Sequence, residues 1–354
     1  MTLLARVAAE PRPAGGDAEA RVRTLCRSRL TAAGFAVAEE RFDYSAFPGR
    51  WATPIAGLGA CLTVLLAWGF GRDARPGAAL TVIVSAALAL AIGGILVGRR
   101  VTTLPWARAS SVNLVATRGV PRLWLVAHLD SKSQPVPMLV RVAGIVFTVL
   151  ALLALAVLAI AAVAGAAIPP ETWNLVALAG TASSLPVMAS VVGSESAGAL
   201  DDGTGVVTVL LAAEALPHDM SIGVLLTSAE ELGMAGARAF ARLHAPAMAI
   251  NVDGVDDHGS TITMRHGRAA RVRVGLARAA RAIGMTVTER GTLPGLLTDG
   301  VALADAGWSA VTVSRGGIGT LWRIHRAADN VSRLHGGGMH EIARLVSSAA
   351  REIA

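Results

Sequence analysis

The chain has 354 residues, of which 53% are hydrophobic and 16% charged, and this balance excludes a disordered or fibrous protein. Its mean hydropathy of +0.54 is too high for an ordinary soluble domain. The net charge of +7 is compatible with nucleic acid, but the arginines are scattered, stacking aromatics are scarce and no nucleic-acid-binding motif is present, so that partner is excluded. Cys26 and Cys61 are the only cysteines, which excludes a disulfide framework and a cysteine-based zinc site.

Two elements are predicted before the first long apolar run. Residues 17–33 place apolar and arginine side chains on different sides of a helix, and residues 35–44 alternate as a strand does. Residues 1–16 lack the apolar core of a secretory signal, so we expect neither cleavage nor export. The first apolar run is therefore interpreted as a membrane anchor.

Four apolar runs each have the length of a transmembrane helix, which needs about 20 residues to cross the hydrocarbon core of a bilayer. They span residues 51–70, 76–98, 142–168 and 173–192. The first three lack the polar face of a soluble helix. The fourth contains Asn174, Ser183 and Pro186, so a buried or interfacial helix is the alternative there.

Outside these runs, short strands alternate with helices. After the first pair of runs we predict strands over residues 111–116 and 122–128, joined by a turn. After the second pair we predict, in chain order, a helix over 205–216, a strand over 222–228, a helix over 234–243, strands over 248–252 and 260–265, a helix over 269–283 and a strand over 310–314. The predicted fold class is α/β, with a mixed, mainly parallel sheet covered by helices on both faces.

Acidic and histidine side chains follow the predicted strands at their carboxyl ends. They are His128 and Asp130, Asp201 and Asp202, Glu230 and Glu231, Asp253, and His325 with Asp329. Because ligands bind at the carboxyl edge of an open α/β sheet, we expect these residues to converge on one cleft. Each residue alone has an ordinary interpretation as a helix cap, a turn or a surface side chain. Together they form a set of imidazole and carboxylate groups suited to two divalent cations such as Zn²⁺.

The order and spacing of these residues resemble the co-catalytic di-zinc aminopeptidases, peptidase family M28 of clan MH. The matching segments are His128-Leu-Asp130, Gly198-Ala-Leu-Asp201-Asp202-Gly-Thr-Gly205, Glu230-Glu231-Leu-Gly233, Asn251-Val-Asp253, Thr298-Asp299 with Ala306-Gly307, and His325-Arg-Ala-Ala-Asp329. Thr204 stands where the family usually has Ser, which keeps the hydroxyl. The resemblance implies a zinc aminopeptidase-like fold.

The resemblance also implies a set of metal ligands. His128 and Asp253 would hold one zinc ion, and Glu231 and His325 would hold the other. Asp201 would bridge both ions with one oxygen to each. Two divalent ions about 3.5–4 Å apart activate a shared water and polarise the carbonyl that this water attacks.

Four further acidic residues receive roles from the same resemblance. Glu230 would be the general base, taking a proton from the water and returning it to the leaving amine. Asp130, predicted as a catalytic residue, would orient His128 through its other ring nitrogen. Asp202 would brace the bridging residue, and Asp329 would brace the loop that carries His325.

The chain must cross the membrane an even number of times between Asp130 and Asp201 if both belong to one metal centre. Two of the apolar runs lie between these residues, so the argument supports the fourth run as a span. We therefore predict one catalytic domain made of residues 1–48, 101–138 and 194–354. Two transmembrane hairpins, residues 49–100 and 139–193, are inserted in its loops.

The distribution of basic residues near the spans indicates the orientation. The domain side carries Arg41, Arg50, Arg99, Arg100, Arg108, Arg118, Lys132 and Arg141, whereas the other side carries Arg72 and Arg75. This asymmetry favours a catalytic domain on the cytoplasmic side.

The resemblance and the predicted spans together imply a membrane-anchored, zinc-dependent exopeptidase of the aminopeptidase type with two Zn²⁺ ions per chain. Its partners would be peptide substrates and the lipid bilayer, and the oligomeric state stays open. Two alternatives also stay open: glutaminyl cyclisation or deacylation on the same scaffold, and a membrane scaffold or pseudoenzyme that keeps the fold for partner binding. A transporter is not favoured, because the spans lack charged residues that would mark a substrate path.

Overall fold

The computed structural model describes residues 1–291 and 297–353. The chain separates into two compact units. The α/β unit comprises Met1–Ala46, Thr102–Ser133 and Ser194–Ala354, and the helical unit comprises Phe47–Val101 and Gln134–Gly193. Each unit is therefore built from segments that are distant in the sequence.

The helices and strands are numbered along the whole chain. The helices are α1 (Thr2–Val7), α2 (Asp17–Ala32), α3 (Thr53–Arg72), α4 (Pro76–Arg99), α5 (Met138–Val163), α6 (Pro170–Met188), α7 (Thr204–Glu214), α8 (Ala235–Leu243), α9 (Ala270–Ala282), α10 (Asp299–Asp305), α11 (Ile318–Arg323) and α12 (Gly337–Ile353). The strands are β1 (Ala36–Ser45), β2 (Arg108–Arg118), β3 (Leu123–His128), β4 (Ile222–Thr227), β5 (Met248–Val255), β6 (Ser260–His266), β7 (Val287–Gly291) and β8 (Ser309–Gly316).

The strands of the α/β unit form one mixed sheet in the order β1-β2-β4-β3-β5-β8-β6-β7. The central strands β4, β3, β5 and β8 run parallel to one another, as do β6 and β7. The pairs β1–β2, β2–β4 and β6–β8 are antiparallel. The register pairs His128 with Thr227 on β4 and Val126 with Asn251 on β5, so the carboxyl ends of three parallel strands lie side by side. The mixed α/β sheet predicted from the sequence is confirmed.

Helices cover both faces of the centre of the sheet. Every residue of β3 and β4 is buried, which is typical of strands that have no solvent-facing side. On one face, α8 and α10 pack on the sheet around Trp124 and Trp308, and Phe240 of α8 makes an edge-to-face contact with Trp124 at a centroid distance of 4.9 Å. A second group of helices, α7, α9 and α12, packs together and contacts β5. This double cover buries the strands that end at the candidate site.

Several elements lie outside those predicted from the sequence. They are α1, α10, α11, α12 and the edge strand β7. Most residues of β7 are exposed and polar, so it shows no alternation of apolar and polar side chains and is defined by its pairing with β6. The predicted strands and helices of the α/β unit are present, with ends that differ by up to three residues.

The helical unit consists of the helices α3 to α6. Small residues allow close approach between them, since a Cβ added at Gly180 of α6 would lie 2.9 Å from the Cβ of Ala151 on α5. An apolar cluster that includes Val64, Leu155 and Trp173 is buried between the helices. Polar side chains also pair between helices of the unit: at its surface, Trp68 Nε1 on α3 donates to Asn174 Oδ1 on α6 at 2.9 Å.

Three helices among the described residues are long and apolar enough to cross a membrane. The first, Pro48–Arg72, is α3 together with the helical turn Pro48–Ala52 before it. The other two are α4, Pro76–Arg99, and α5, Met138–Val163. The third begins four residues and ends five residues before the predicted span. It ends there because the chain turns at Gly165 with a φ of 93°. The fourth predicted span is a helix, α6, but its polar side chains keep it out of this set.

Candidate metal centre

The predicted ligands converge at the carboxyl edge of the central strands. His128 is the last residue of β3, Glu231 follows β4 and Asp253 lies near the end of β5. Asp201 directly precedes α7, and His325 follows α11. The parallel pairing of these strands therefore brings together residues from five separate segments.

The five side chains form two groups that share one carboxylate. In the first group, His128, Asp201 and Asp253 each offer a ligand atom within 4.8 Å of the others, and Asp201, Glu231 and His325 do the same in the second. The two oxygens of Asp201 point to different histidines, with Oδ1 3.0 Å from His128 Nε2 and Oδ2 2.9 Å from His325 Nε2. Imidazole nitrogens and carboxylate oxygens at this spacing form a donor set for two cations with Asp201 between them.

Asp130 connects the end of β3 to the two glutamates. Its Oδ1 accepts a hydrogen bond from the backbone N–H of Glu230 at 3.0 Å, and its Oδ2 accepts one from Glu231 at 3.2 Å. The Nδ1 atom of His128 lies 3.0 Å from the backbone carbonyl of Asp130 and 3.7 Å from its carboxylate. Asp130 thus contacts the ring nitrogen that the sequence predicts, with its carbonyl at hydrogen-bond distance and its carboxylate farther away and bonded to the two amides.

Asp202 and Asp329 hold the segments around Asp201 in place. The buried carboxylate of Asp202 accepts hydrogen bonds from the backbone N–H groups of His128 at 3.2 Å, Gly205 at 3.1 Å and Gly254 at 3.0 Å. The carboxylate of Asp329 accepts from the N–H groups of Leu200 at 2.7 Å and Asp201 at 3.2 Å. Both residues therefore brace the Asp201 segment, and Asp329 links it to the loop of His325.

The hydroxyl of Thr204, which stands where the resemblance expects a serine, makes two hydrogen bonds. It donates to the carbonyl of Leu200 at 2.9 Å and accepts from the backbone N–H of Val255 at 2.9 Å. These two bonds join the start of α7 to the end of β5. Both hydrogen bonds use the hydroxyl that threonine shares with serine.

The electrostatic environment of the cleft is strongly acidic. Burial raises the pKa of Glu230 well above its usual range; the neighbouring Glu231 and Asp299 charges raise it further, while His128 opposes them. Burial, with the adjacent Asp201 charge, raises the pKa of Asp253 to about 7. Burial also raises the pKa of Asp201, but contacts with both histidines outweigh it and hold that pKa well below its usual range. Such a concentration of carboxylates favours the binding of cations.

Two basic residues at the centre were not assigned a role in the sequence analysis. Lys132, the only lysine in the chain, forms an ion pair with Glu231. Arg12 is fully buried and donates to the carbonyls of Leu129 at 2.7 Å and Gly198 at 3.0 Å, so it ties the N-terminal segment to the loops of two predicted ligands. Lys132 and Arg12 both lie in polar stretches without helix or strand periodicity, so the sequence does not indicate that either side chain is buried.

Solved structures show which fold surrounds this centre. An aminopeptidase from Aneurinibacillus sp. strain AM-1 is similar at a TM-score of 0.58 and 13% identity, with 100% of this chain and 92% of that chain covered. A zinc aminopeptidase from Bacillus subtilis is similar at 0.58 and 14%, with 99% and 93% covered. A glutaminyl cyclase from Fimbriiglobus ruber is similar at 0.55 and 14%, with 99% and 93% covered. At these identities the likeness concerns the fold.

The sequence itself carries the family assignment. No curated protein is similar enough to this chain to count as a match. Residues 113–350, however, match Peptidase family M28, and this stretch contains each of the motifs described above. The chain therefore belongs to peptidase family M28 and is a hydrolytic metallopeptidase.

Proposed function

We propose that this protein is a membrane-anchored, zinc-dependent exopeptidase that removes N-terminal residues from peptides. One observation carries the proposal: two groups of ligand atoms share the carboxylate of Asp201 at the carboxyl edge of a family M28 sheet. The similar fold of a zinc aminopeptidase supports the choice of metal and of reaction. Hydrolysis of a peptide bond requires an activated water and a proton donor for the leaving amine, and both are available from this set of residues.

The residues present fit zinc. Zn²⁺ is bound by histidine nitrogen and carboxylate oxygen, and each group contains one histidine with two carboxylates. Glu231 Oε1 is buried without a hydrogen-bond partner in the described chain, which is the state of an atom that needs a cation. We assign His128 and Asp253 to one ion, Glu231 and His325 to the other, and Asp201 to both. Bound zinc would supply a polarised carbonyl and a water of lowered pKa.

We assign proton transfer to Glu230. Glu230 is 7% exposed, and burial raises its pKa, which makes its carboxylate a better proton acceptor. The hydrogen bond from its backbone N–H to Asp130 fixes the position of Glu230 next to Glu231, whose N–H is bonded to the other oxygen of the same carboxylate. Glu230 would thus take the proton of the attacking water and return it to the amine that leaves.

The assignment of Glu230 can be tested by comparing the wild-type enzyme with Glu230→Gln. Metal content and hydrolysis of aminoacyl-anilides would be measured on the same preparations. We expect near two zinc ions per chain in both proteins and a loss of activity of about 10²–10⁴-fold in the variant. Normal turnover by Glu230→Gln would remove Glu230 from this role, and a wild-type enzyme without zinc would contradict the proposed function.

Glutaminyl cyclisation is the second candidate, because a glutaminyl cyclase is among the similar structures. The two reactions give different products from a peptide with N-terminal glutamine: cyclisation releases ammonia, whereas hydrolysis releases the free amino acid. Incubation of that peptide with the enzyme, followed by assays for both products, separates the candidates. The pseudoenzyme alternative is not supported, since all five predicted ligands come together.

We propose further that α6 is a fourth transmembrane span, which makes two hairpins. Its outward side chains Leu175 and Leu178 are each 69% exposed, whereas its polar Ser183 lies 3.0 Å from Thr148 on α5. A helix with apolar groups outside and polar groups inside is typical of a membrane bundle. Because His128 and Asp201 contact each other, the chain must return to the same side of the membrane between them, which also supports an even number of crossings.

Reporter fusions test this topology. A reporter inserted between α5 and α6 should lie on the opposite side of the membrane from one inserted directly after α6. The basic residues near the spans favour the cytoplasm for the side of the α/β unit. If both reporters lie on the same side, α6 does not span the membrane.

A further inference from the structure

Lys132 contacts one oxygen of a proposed zinc ligand. Its Nζ atom forms an ion pair with Glu231 Oε2, and the two side chains are 16% and 4% exposed. The pair therefore lies at the wall of the cleft with little access to water. A charge-assisted hydrogen bond in such surroundings fixes the direction of a carboxylate more firmly than an exposed pair does.

The two oxygens of Glu231 are not equivalent. Oε2 is held by Lys132, whereas Oε1 is buried without a hydrogen-bond partner and lies 3.5 Å from His325 Nε2. Oε1 therefore lies beside His325, with which Glu231 forms part of the second group of ligand atoms. The other oxygen is turned away toward the ammonium.

The backbone on both sides of Lys132 is anchored. The Ser131 N–H donates to the carbonyl of Arg12 at 2.8 Å, and its hydroxyl donates to the carbonyl of Ser196 at 2.9 Å. The hydroxyl of Ser133 accepts from the Glu195 N–H at 2.9 Å. Because hydrogen bonds hold the residues on both sides of it, the backbone of Lys132 is fixed at a position from which its side chain reaches Glu231.

We propose that Lys132 is a positioning residue that restricts Glu231 to one oxygen at the metal. This inference rests on the proposed function and adds a residue to it. A carboxylate that binds through both oxygens would fill an additional coordination position. By holding Oε2, Lys132 keeps that position open for water or the substrate carbonyl, as a catalytic zinc site requires.

A purely repulsive role for Lys132 makes the opposite prediction. An ammonium close to a divalent cation repels it, so removing the charge alone would strengthen metal binding. Loss of a residue that positions a ligand typically weakens metal binding by about 10–100-fold. The sign of the change in affinity therefore decides between the two roles.

The experiment compares the metal affinity of the full-length wild-type protein with that of Lys132→Met and Lys132→Arg, using Zn²⁺ titrations against a chelator. Arg29→Met is the matched control, because it removes a cation that pairs with Glu214 at 2.7 Å in the same unit. We expect Lys132→Met to bind one of its two zinc ions about 10–100-fold more weakly. Lys132→Arg, which keeps a charged donor, should recover most of the loss, and Arg29→Met should bind as the wild type does.

Cobalt absorption provides a readout of coordination. With Co²⁺ in place of zinc, a Glu231 that is no longer held in one orientation in Lys132→Met should change the coordination at one site and with it the intensity of its visible bands. Unchanged or tighter zinc binding, or an unchanged cobalt spectrum, would overturn the proposal. Should Lys132→Met fail to fold, Lys132→Gln decides by the same criteria, since its neutral amide is a weaker donor on a shorter chain.

The outcome also separates this inference from the proposed function. If the wild-type protein binds no zinc, the proposed function and the role of Lys132 are both overturned. If the wild type binds two ions and hydrolyses peptides while Lys132→Met binds them equally well, only the role of Lys132 is wrong.

Discussion

The α/β unit and the helical unit are stabilised in different ways. In the α/β unit, buried carboxylates accept hydrogen bonds from backbone amides of distant segments, as Asp202 does from His128, Gly205 and Gly254. In the helical unit, apolar side chains and small residues fill the space between helices, and polar pairs such as Thr148 with Ser183 are few among its described contacts. A buried carboxylate depends on each of its partners, whereas an apolar contact is one of many. We therefore expect substitutions of buried carboxylates in the α/β unit to change activity or metal content, and substitutions of apolar contacts in the helical unit to change stability alone.

The largest effect is expected at the carboxylate that the two ligand groups share. Asp201→Asn should lower activity by about 10³-fold or more and reduce the zinc content, because both groups lose an anionic oxygen. Asp305→Asn is the control, since Asp305 is exposed and pairs with Arg238 at 3.2 Å outside the site. Metal analysis and peptide hydrolysis measure the effect, and full activity of Asp201→Asn would argue against a metal shared at this residue.

A smaller effect is expected at the residue that holds both glutamates. Asp130→Asn replaces one acceptor oxygen with an amide that cannot accept, so the N–H of Glu230 or Glu231 loses its partner. We expect kcat to fall about 10–100-fold with the fold retained. Steady-state kinetics with circular dichroism measure both quantities. A change in KM alone would show that Asp130 does not position Glu230 for the proposed proton transfer.

The pH dependence of stability should come from buried ionisable groups of the α/β unit. Burial lowers the pKa of His266 to about 4, whereas a histidine in an unfolded chain titrates near 6.5. Above about pH 6.5 neither state is protonated and stability is full; as the pH falls, only the unfolded chain takes up the proton, so stability decreases. The loss from this residue at about pH 5 is about 2 kcal/mol.

The comparison of His266→Gln with the wild type isolates this contribution. Denaturant unfolding in detergent at about pH 7 and about pH 5 should show a smaller decrease for the variant. His218→Gln, which changes an exposed histidine of the same unit, should behave like the wild type. Equal decreases for His266→Gln and the wild type would mean that His266 is not the group that titrates.

In the helical unit we expect an effect on stability alone, because contacts there are numerous and individually weak. Gly180→Ala adds a methyl group 2.9 Å from the Cβ of Ala151, and the resulting overpacking should cost about 1–3 kcal/mol of stability. A Cβ at Gly59 of α3 meets no heavy atom within 4 Å, so Gly59→Ala is the matched control. Unfolding in detergent measures the difference, and zinc content per folded chain should stay constant in both variants. Lost zinc in Gly180→Ala would contradict the separation of the two units.

Much of the site could be predicted because its residues occupy characteristic places in the sequence. His128, Glu231 and Asp253 each follow a run of apolar residues that ends abruptly, and the end of a buried parallel strand has that pattern. The contacts of Asp130 could not be predicted, because its carboxylate is bonded to amides about 100 residues further along the chain. Distances of this kind depend on how the strands pair.

By itself, the sequence determined those properties that depend only on residues close together in the chain. Long apolar runs determine three helices able to cross a membrane, because hydropathy is a sum over neighbouring residues. Strand and helix periodicities similarly determine most elements of the α/β unit. Only the tertiary structure decided the strand order, the burial of Arg12 and the pairing of Lys132 with Glu231. These depend on which distant segments come within hydrogen-bond distance after folding, and no local pattern of residues encodes such a distance.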